Sequence, residues 1–365
     1  MSSHSQFALL QQRRFAPLFW TQFLGAANDN LFKFAFSLLA TYHAAQWGGL
    51  EAASVGFVIG AIFITPFVLF SATSGQLADK YERGALMRFV KNLEIGIMVI
   101  AAAGFLGHHA MLLYLCVLLM GLHSTLFGPV KYAYLPQHLE DEELTGGNGL
   151  VEMGTFVAIL LGTMAGGLLV KTGSTGPTYV AAGCVAVAIL GRIVAHFIPL
   201  SPAPEPQLAI NWNPFSETWR NLKLAATDRT VFNSLLGISW MWFFGSIFLT
   251  AITPFGRDVL HGDEGLVTEL LTVFSVGIGL GSLACDKLSG HKVEIGLVPF
   301  GSIGMTLFAV DLWLATKGMK PTAMREVGEF IRDASQWRVM ADLFLLALFA
   351  GFYSEIGRAS CRERV

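Results

Sequence analysis

Residues 15–42 read FAPLFWTQFLGAANDNLFKFAFSLLATY. The run is long enough to cross a bilayer as a helix, yet its middle holds Asn28-Asp29-Asn30, with Lys33 one helical turn further on. A carboxylate near the centre of a hydrocarbon slab costs at least ~2.5 kcal/mol on insertion scales. Such a group persists only where it faces a protein interior, a water-filled cavity or a partner charge. The rest of the chain is therefore expected to supply that cavity and that partner.

Composition sets the class. Of the 365 residues 53% are hydrophobic and only 14% charged, against roughly 25% charged in soluble domains. The shortfall comes from repeated apolar runs, at about 15–42, 53–74, 86–107, 110–130, 146–170, 177–199, 231–255, 266–285, 293–315 and 337–354. The first nine each have the ~17–25 residues a spanning helix needs; the tenth is cut short. The fold class is an all-α polytopic membrane protein. The net charge of −2 says nothing of partners, because charges are sorted by membrane side, and no nucleic-acid partner is expected. Cys116, Cys184 and Cys285 sit in or beside apolar segments as small core residues. No metal-ligand spacing occurs, and no cofactor is expected.

Lysine and arginine set the orientation. Arg13 and Arg14 precede the first span, Lys80, Arg83 and Arg88 follow the second, Arg220, Lys223 and Arg229 follow the sixth, and Lys287 and Lys292 follow the eighth. The opposite loops at 43–52 and 108–109 hold none. The N-terminus shows no cleavable-signal pattern, so the expectation is an uncleaved, multi-pass protein with a cytoplasmic N-terminus. The loop between spans nine and ten is basic on the wrong side. Its interleaved Glu326, Glu329 and Asp333 with Val327, Phe330 and Ile331 predict a short amphipathic helix in the interface. Pro202, Pro204 and Pro206 break helix and mark a linker. The expected organisation is a six-helix half over 1–199, a cytoplasmic linker over 200–230 with a surface helix near 213–227, and an incomplete half over 231–354. Residues 355–365, EIGRASCRERV, abruptly end the apolar run. They resemble the translation of a sequencing adaptor, and are expected to be non-native.

The two halves echo one another. Gly75-Gln-Leu-Ala-Asp79-Lys80-Tyr-Glu-Arg83 follows span two, and Gly281-Ser-Leu-Ala-Cys-Asp286-Lys287 follows span eight. Parallel six-span repeats build one common transporter architecture. The first element resembles the signature of the major facilitator superfamily, with Glu82 where that family usually has Gly. The resemblance implies a fold of two six-helix halves, the second truncated here after about four helices. In it Gly75 would allow close helix approach, Asp79 would cap a neighbouring helix, and Lys80, Arg83, Asp286 and Lys287 would belong to gates.

Narrower stretches are similar to the bacterial lysophospholipid transporter family. These are residues 19–33 (FWTQFLGAANDNLFK), 127–139 (FGPVKYAYLPQHL), 148–155 (NGLVEMGT) and 238–245 (ISWMWFFG). That resemblance covers 13–354 and implies a flippase without a cofactor. It would move lysophosphatidylethanolamine or lysophosphatidylglycerol to the cytoplasmic leaflet of the bacterial inner membrane by alternating access. An acyltransferase or acyl-carrier ligase, separate or fused, would act as partner. Asp29 and Lys131 match residues that line the family's central polar site.

The residues themselves leave the pairing open. Asp29 lies ~21 Å of helix rise beyond Phe15, while Lys131 follows Gly128-Pro129 nearer the cytoplasmic side. Lys33, four residues after Asp29, is a competing partner on the same face. Asn28, Asn30 and Glu152 complete the expected substrate site. Glu94 has Lys91 one turn earlier as a ready partner, and His123 is expected to be a packing residue. Trp240 and Trp242 are expected to pack or to line an acyl-chain path. Gly277, Gly279 and Gly281 are expected to bring helices close. No histidine begins a His-x4-Asp acyltransferase pair and no P-loop is present, so no catalysis is expected. The competing readings are a carrier of a soluble metabolite or drug, and the membrane module of a larger lipid-remodelling enzyme.

Overall fold

Pro17 stands in the first turn of α1 (Ala16–Tyr42), where a missing N–H leaves no intrahelical bond unmade. The computed structural model describes residues 6–48, 50–288, 297–319 and 323–362. They fold into α2 (Ala52–Lys80), α3 (Arg83–Leu106), α4 (Ala110–His138), α5 (Asp141–Val170), α6 (Gly176–Ala195), α7 (Pro214–Ala225), α8 (Arg229–Pro254), α9 (Glu264–Leu288), α10 (Leu297–Thr316), α11 (Val327–Arg332) and α12 (Trp337–Arg362). The helical backbone of α12 thus continues beyond residue 354. Among the described residues seven helical segments, lying in α2 to α6, α9 and α10, are long and apolar enough to cross a membrane. The other three expected spans coincide with α1, α8 and α12, of 27, 26 and 26 residues.

Local chemistry sets several helix ends. Glu140 and Glu143 form a reciprocal capping box at the start of α5, satisfying two backbone donors that the first turn leaves orphaned. Pro129 and Pro136 lie inside α4 without ending it, since neighbouring groups in packed membrane helices re-satisfy the freed carbonyls. That helix therefore runs eight residues past the expected end at 130, and Lys131 sits two turns before its terminus.

The chain forms two units, Met1–Asn221 and Leu222–Val365. In the first, α1 packs on α5 and α6, α2 on α4, and α3 on α4 and α6. The α1–α5 seam is close because α5 offers glycine. A Cβ on Gly162 would strike the Ala27 carbonyl, and one on Gly166 would come within 2.8 Å of the Leu31 carbonyl oxygen. Such small-residue seams replace the hydrophobic drive that lipid does not provide. At the end where α2 leaves off and α3 begins, Phe15, Leu18, Met87, Val90, Val130, Tyr134, Leu150 and Val151 form a buried apolar cluster. Elsewhere Ile64, Val68, Met111 and Leu168 are exposed, as suits side chains turned toward acyl chains.

In the second unit α12 packs on α9 and α10. Gly277 and Gly281 bring α9 against backbone atoms of α12, but a Cβ on Gly279 would meet nothing within 4 Å. The expectation holds for two of the three glycines, because position 279 points about 160° away from both helical neighbours of the seam. The basic loop does form the short helix α11, although Phe330 is fully buried rather than turned outward. The loop is pinned by two backbone hydrogen bonds, from Asp263 N to the Arg325 carbonyl (3.1 Å) and from Arg325 N to the His261 carbonyl (2.8 Å).

Candidate functional site

Asn28 and Asp29 sit one step apart on α1 and are both buried. A step of 100° around the helix sends them to different neighbours. Asn28 Nδ2 donates to Glu94 Oε1 of α3 at 2.8 Å. The other oxygen of Glu94 pairs with Lys91 one turn earlier on α3, and His123 Nε2 of α4 lies 3.1 Å from it. Lys91, Glu94 and His123 are each no more than 3% exposed. Room for the lysine comes from Gly191 of α6, where a Cβ would stand 2.6 Å from Nζ, and from Gly25 of α1. Three helices thus contribute side chains to a carboxylate with opposite charge and donors around it. A buried pair of this kind is sustained by mutual attraction and hydrogen bonds.

Asp29 is served less completely. Ser124 of α4 donates its hydroxyl proton to Asp29 Oδ2 at 2.6 Å, and Ser124 Oγ lies 3.5 Å from His123 Nδ1. Among the described residues Asp29 Oδ1 has no hydrogen-bond partner, and neither do Asn28 Oδ1 and His123 Nε2 nearby. Buried polar atoms are usually satisfied, so an unsatisfied carboxylate oxygen is a candidate contact point for a ligand. Of the two expected lysines, Lys33 is the one whose charge acts on Asp29, from the next turn of α1 and without direct ion-pair contact. Lys33 Nζ stands over the Phe63 ring of α2, 3.6 Å from its centroid, and Lys131 Nζ over Tyr132 at 4.8 Å. Asn30 Nδ2 donates back to the Ala26 carbonyl at 2.8 Å. Glu152 lies in α5, and its side chain is outside the described residues. Earlier on α1, Gln22 donates to the Val151 carbonyl at 3.2 Å and accepts from Thr155 Oγ1 at 2.9 Å. Ser124 escaped the sequence analysis, and Gln22 and Thr155 stood in the family-like stretches without a role, since small polar residues inside apolar runs carry no signal of which helix they face. Among the described residues no three His, Cys, Asp or Glu side chains are grouped to hold a metal ion.

The 75–83 element is built differently from its expected roles. Glu82, the departure from the signature, is the N-cap of α3 and accepts from Gly84 N (2.8 Å) and Ala85 N (2.5 Å). It also accepts from Ser201 N at 2.8 Å and pairs with Arg88 at 3.1 Å. The start of α3 is capped by Glu82 because the residue just outside a helix reaches its first free N–H groups. Asp79 instead pairs with Arg83 at 3.8 Å. Arg83 donates to the Ala133 carbonyl of α4 at 2.9 Å, tying α3 to α4. Among the described residues a Cβ on Gly75 would meet nothing within 4 Å. Lys80 ends α2. Asp286 and Lys287 lie in the last turn of α9, with side chains outside the described residues. The chain after α6 straps this end: Glu205 N donates to the Asp79 carbonyl at 3.0 Å, and Ser201 Oγ donates to Gln137 Oε1.

The geometry can be set beside known proteins. The Major Facilitator Superfamily model matches residues 18–354. The lysophospholipid transporter LplT of Enterobacter sp. (strain 638) is 28% identical over 299 residues, covering 80% of this chain and 70% of that protein. LplT of Escherichia coli O7:K1 (strain IAI39 / ExPEC) is 30% identical over 307 residues, with the same two coverages. Among solved structures, a bacterial homologue of the human lysosomal transporter Spinster superposes with a TM-score of 0.64 at 14% identity, over 95% of this chain and 75% of that one. A D-xylose–proton symporter superposes at 0.62 with 15% identity, over 93% and 80%. These two structures speak to fold alone. The matching proteins are transporters, not enzymes.

Proposed function

The chain belongs to the Major Facilitator Superfamily, and we propose that its cargo is a lysophospholipid, moved across the bacterial inner membrane by alternating access. The similarity to LplT transporters along 80% of the chain supports the substrate class. The one observation that supports the site is the unpartnered Oδ1 of buried Asp29. An acceptor of this kind suits the ammonium or hydroxyl donors of a phosphoethanolamine or phosphoglycerol headgroup. Lys33 and Lys131 are cations for its phosphate; Asn28 and Asn30, whose amides donate to Glu94 and the Ala26 carbonyl, offer their oxygens, and Glu152 joins the site on the strength of the sequence. Gly75, Asp79, Lys80 and Arg83, and Asp286 and Lys287 in the second unit, serve the gates. Delivery is to the cytoplasmic leaflet, where an acyltransferase or acyl-carrier ligase restores the missing chain, and the N-terminus is cytoplasmic.

Uptake of labelled lysophosphatidylethanolamine and lysophosphatidylglycerol into proteoliposomes tests this. Asp29→Asn or Lys131→Ala should lower uptake roughly tenfold or more, the effect of losing a charge-assisted hydrogen bond. Unchanged uptake in both variants would remove the site assignment. Failure of the parent protein to move either lysolipid, with uptake of a soluble metabolite or drug instead, would remove the substrate assignment.

A further inference from the structure

α7 is amphipathic the wrong way round for a helix on a water-facing surface. Such a helix normally turns its apolar stripe to the protein and its charges outward. Here Glu217 is the inward residue, 4% exposed. It accepts from Asn211 Nδ2 at 2.8 Å and pairs with Arg220 at 2.8 Å. Asn211 in turn exchanges two hydrogen bonds with Gln76 of α2, accepting from Nε2 at 3.3 Å and donating its backbone N–H to Oε1 at 2.8 Å. Around the helix from Glu217, Phe215 and Leu222 lie on one stripe, 73% and 47% exposed, and Trp212 in the preceding turn is 71% exposed. Trp219, on the same stripe, is 62% exposed. Lys223, about 40° around the helix from Trp219, lies beside the stripe, whereas Arg220 stays on the side of its partner Glu217.

The strap places this stripe at a defined depth. It is tied to the point where α2 ends and α3 begins, through Glu205 N on the Asp79 carbonyl and Ser201 N on Glu82, and to the end of α4 through Gln137 Nε2 on the Pro202 carbonyl at 3.1 Å. In a polytopic membrane protein, helix ends joined by a two-residue turn mark the plane where spans leave the hydrocarbon. Aromatic and aliphatic side chains flanked by a lysine at that plane match the headgroup layer of a bilayer in both polarity and charge.

We infer that α7 docks on the membrane leaflet at this end of the chain, with the Phe215 stripe among the upper acyl chains and Lys223 among anionic phosphates. The occupant of the exposed stripe is an anionic glycerophospholipid surface. Long basic side chains reach such phosphates while their stems stay on the apolar side. Through Asn211 and Gln76 the docked helix is joined directly to the 75–83 element, so lipid contact and that element share one hydrogen-bonded strap.

Photocrosslinking tests the docking with the full chain and all its cysteines intact. p-Benzoylphenylalanine replaces Phe215, Asn221 or Ile193 in protein reconstituted in vesicles of phosphatidylethanolamine and phosphatidylglycerol. Ile193, exposed on α6, is the control for lipid reaction, and Asn221 lies around the helix from the stripe. The expected result is a phospholipid adduct at 215 and 193 and none at 221. Adduct yield at 215, but not at 193, should fall about fivefold when phosphatidylcholine replaces phosphatidylglycerol, the effect of roughly one basic side chain at an anionic surface. A peptide adduct at 215, to this chain or to a second copy, would overturn the inference in favour of a protein occupant. Absence of any adduct at 215 while 193 reacts would overturn it in favour of water. A lipid adduct insensitive to phosphatidylglycerol would overturn the role of Lys223 and the choice of an anionic surface.

Discussion

The Glu94 cluster and the Asp29 carboxylate share α1, are both buried, and differ in how completely they are satisfied. Glu94 is met by Lys91, Asn28 and His123 from three helices. Asp29 has one hydroxyl on one oxygen, no hydrogen bond to the other among the described residues, and only the charge of Lys33 from the next turn. The difference separates a polar group that holds helices together from one with capacity left for a ligand. Burial alone would have ranked the two equally, and only the partner count on each oxygen tells them apart.

The largest stability loss is expected at Glu94. Glu94→Gln leaves the Lys91 charge buried without its counter-charge, which costs roughly 3–5 kcal/mol. Thermal unfolding in detergent should show it, and the double change Lys91→Met with Glu94→Leu should recover most of the loss. A single variant as stable as the parent would break the distinction between the two regions. Gly162→Val comes next. Its side chain would strike the Ala27 carbonyl and shift the part of α1 that carries both residues, for about 1–3 kcal/mol, and uptake should fall along with stability. Glu82→Ala, away from both regions, should cost about 1 kcal/mol through loss of the α3 cap.

The smallest stability effect is expected at Asp29. Asp29→Asn keeps an acceptor for Ser124 and removes a buried charge, so the unfolding free energy should stay within about 1 kcal/mol of the parent while uptake drops. Asp29→Asn unfolding as readily as Glu94→Gln would mean that both carboxylates are structural.

Much of the molecule was legible beforehand. Apolar runs and their spacing predict ten helices, and each expected segment corresponds to a helix of the structure. Glu94 could be paired with Lys91 from their three-residue spacing alone. Asn28 and His123 could not be assigned to the same cluster, because they come from α1 and α4 and periodicity within one helix does not say which neighbour it meets. Glu82 stood out only as a departure from a signature, and its use as a cap depends on where α3 starts. The inward Glu217 was equally hidden, since the strap that buries it pairs Asn211 with Gln76, which lie far apart in sequence.

The chain by itself determined that this is a helical membrane protein with a costly polar patch in its first span, because hydrophobic length and the energy of a charge in hydrocarbon are local properties. It also carried the likeness to transporters. The tertiary structure decided which polar residues neutralise one another and which keep an unused acceptor. That choice rests on a 100° turn between Asn28 and Asp29 and on the helices packed against each face, which no stretch of sequence encodes alone.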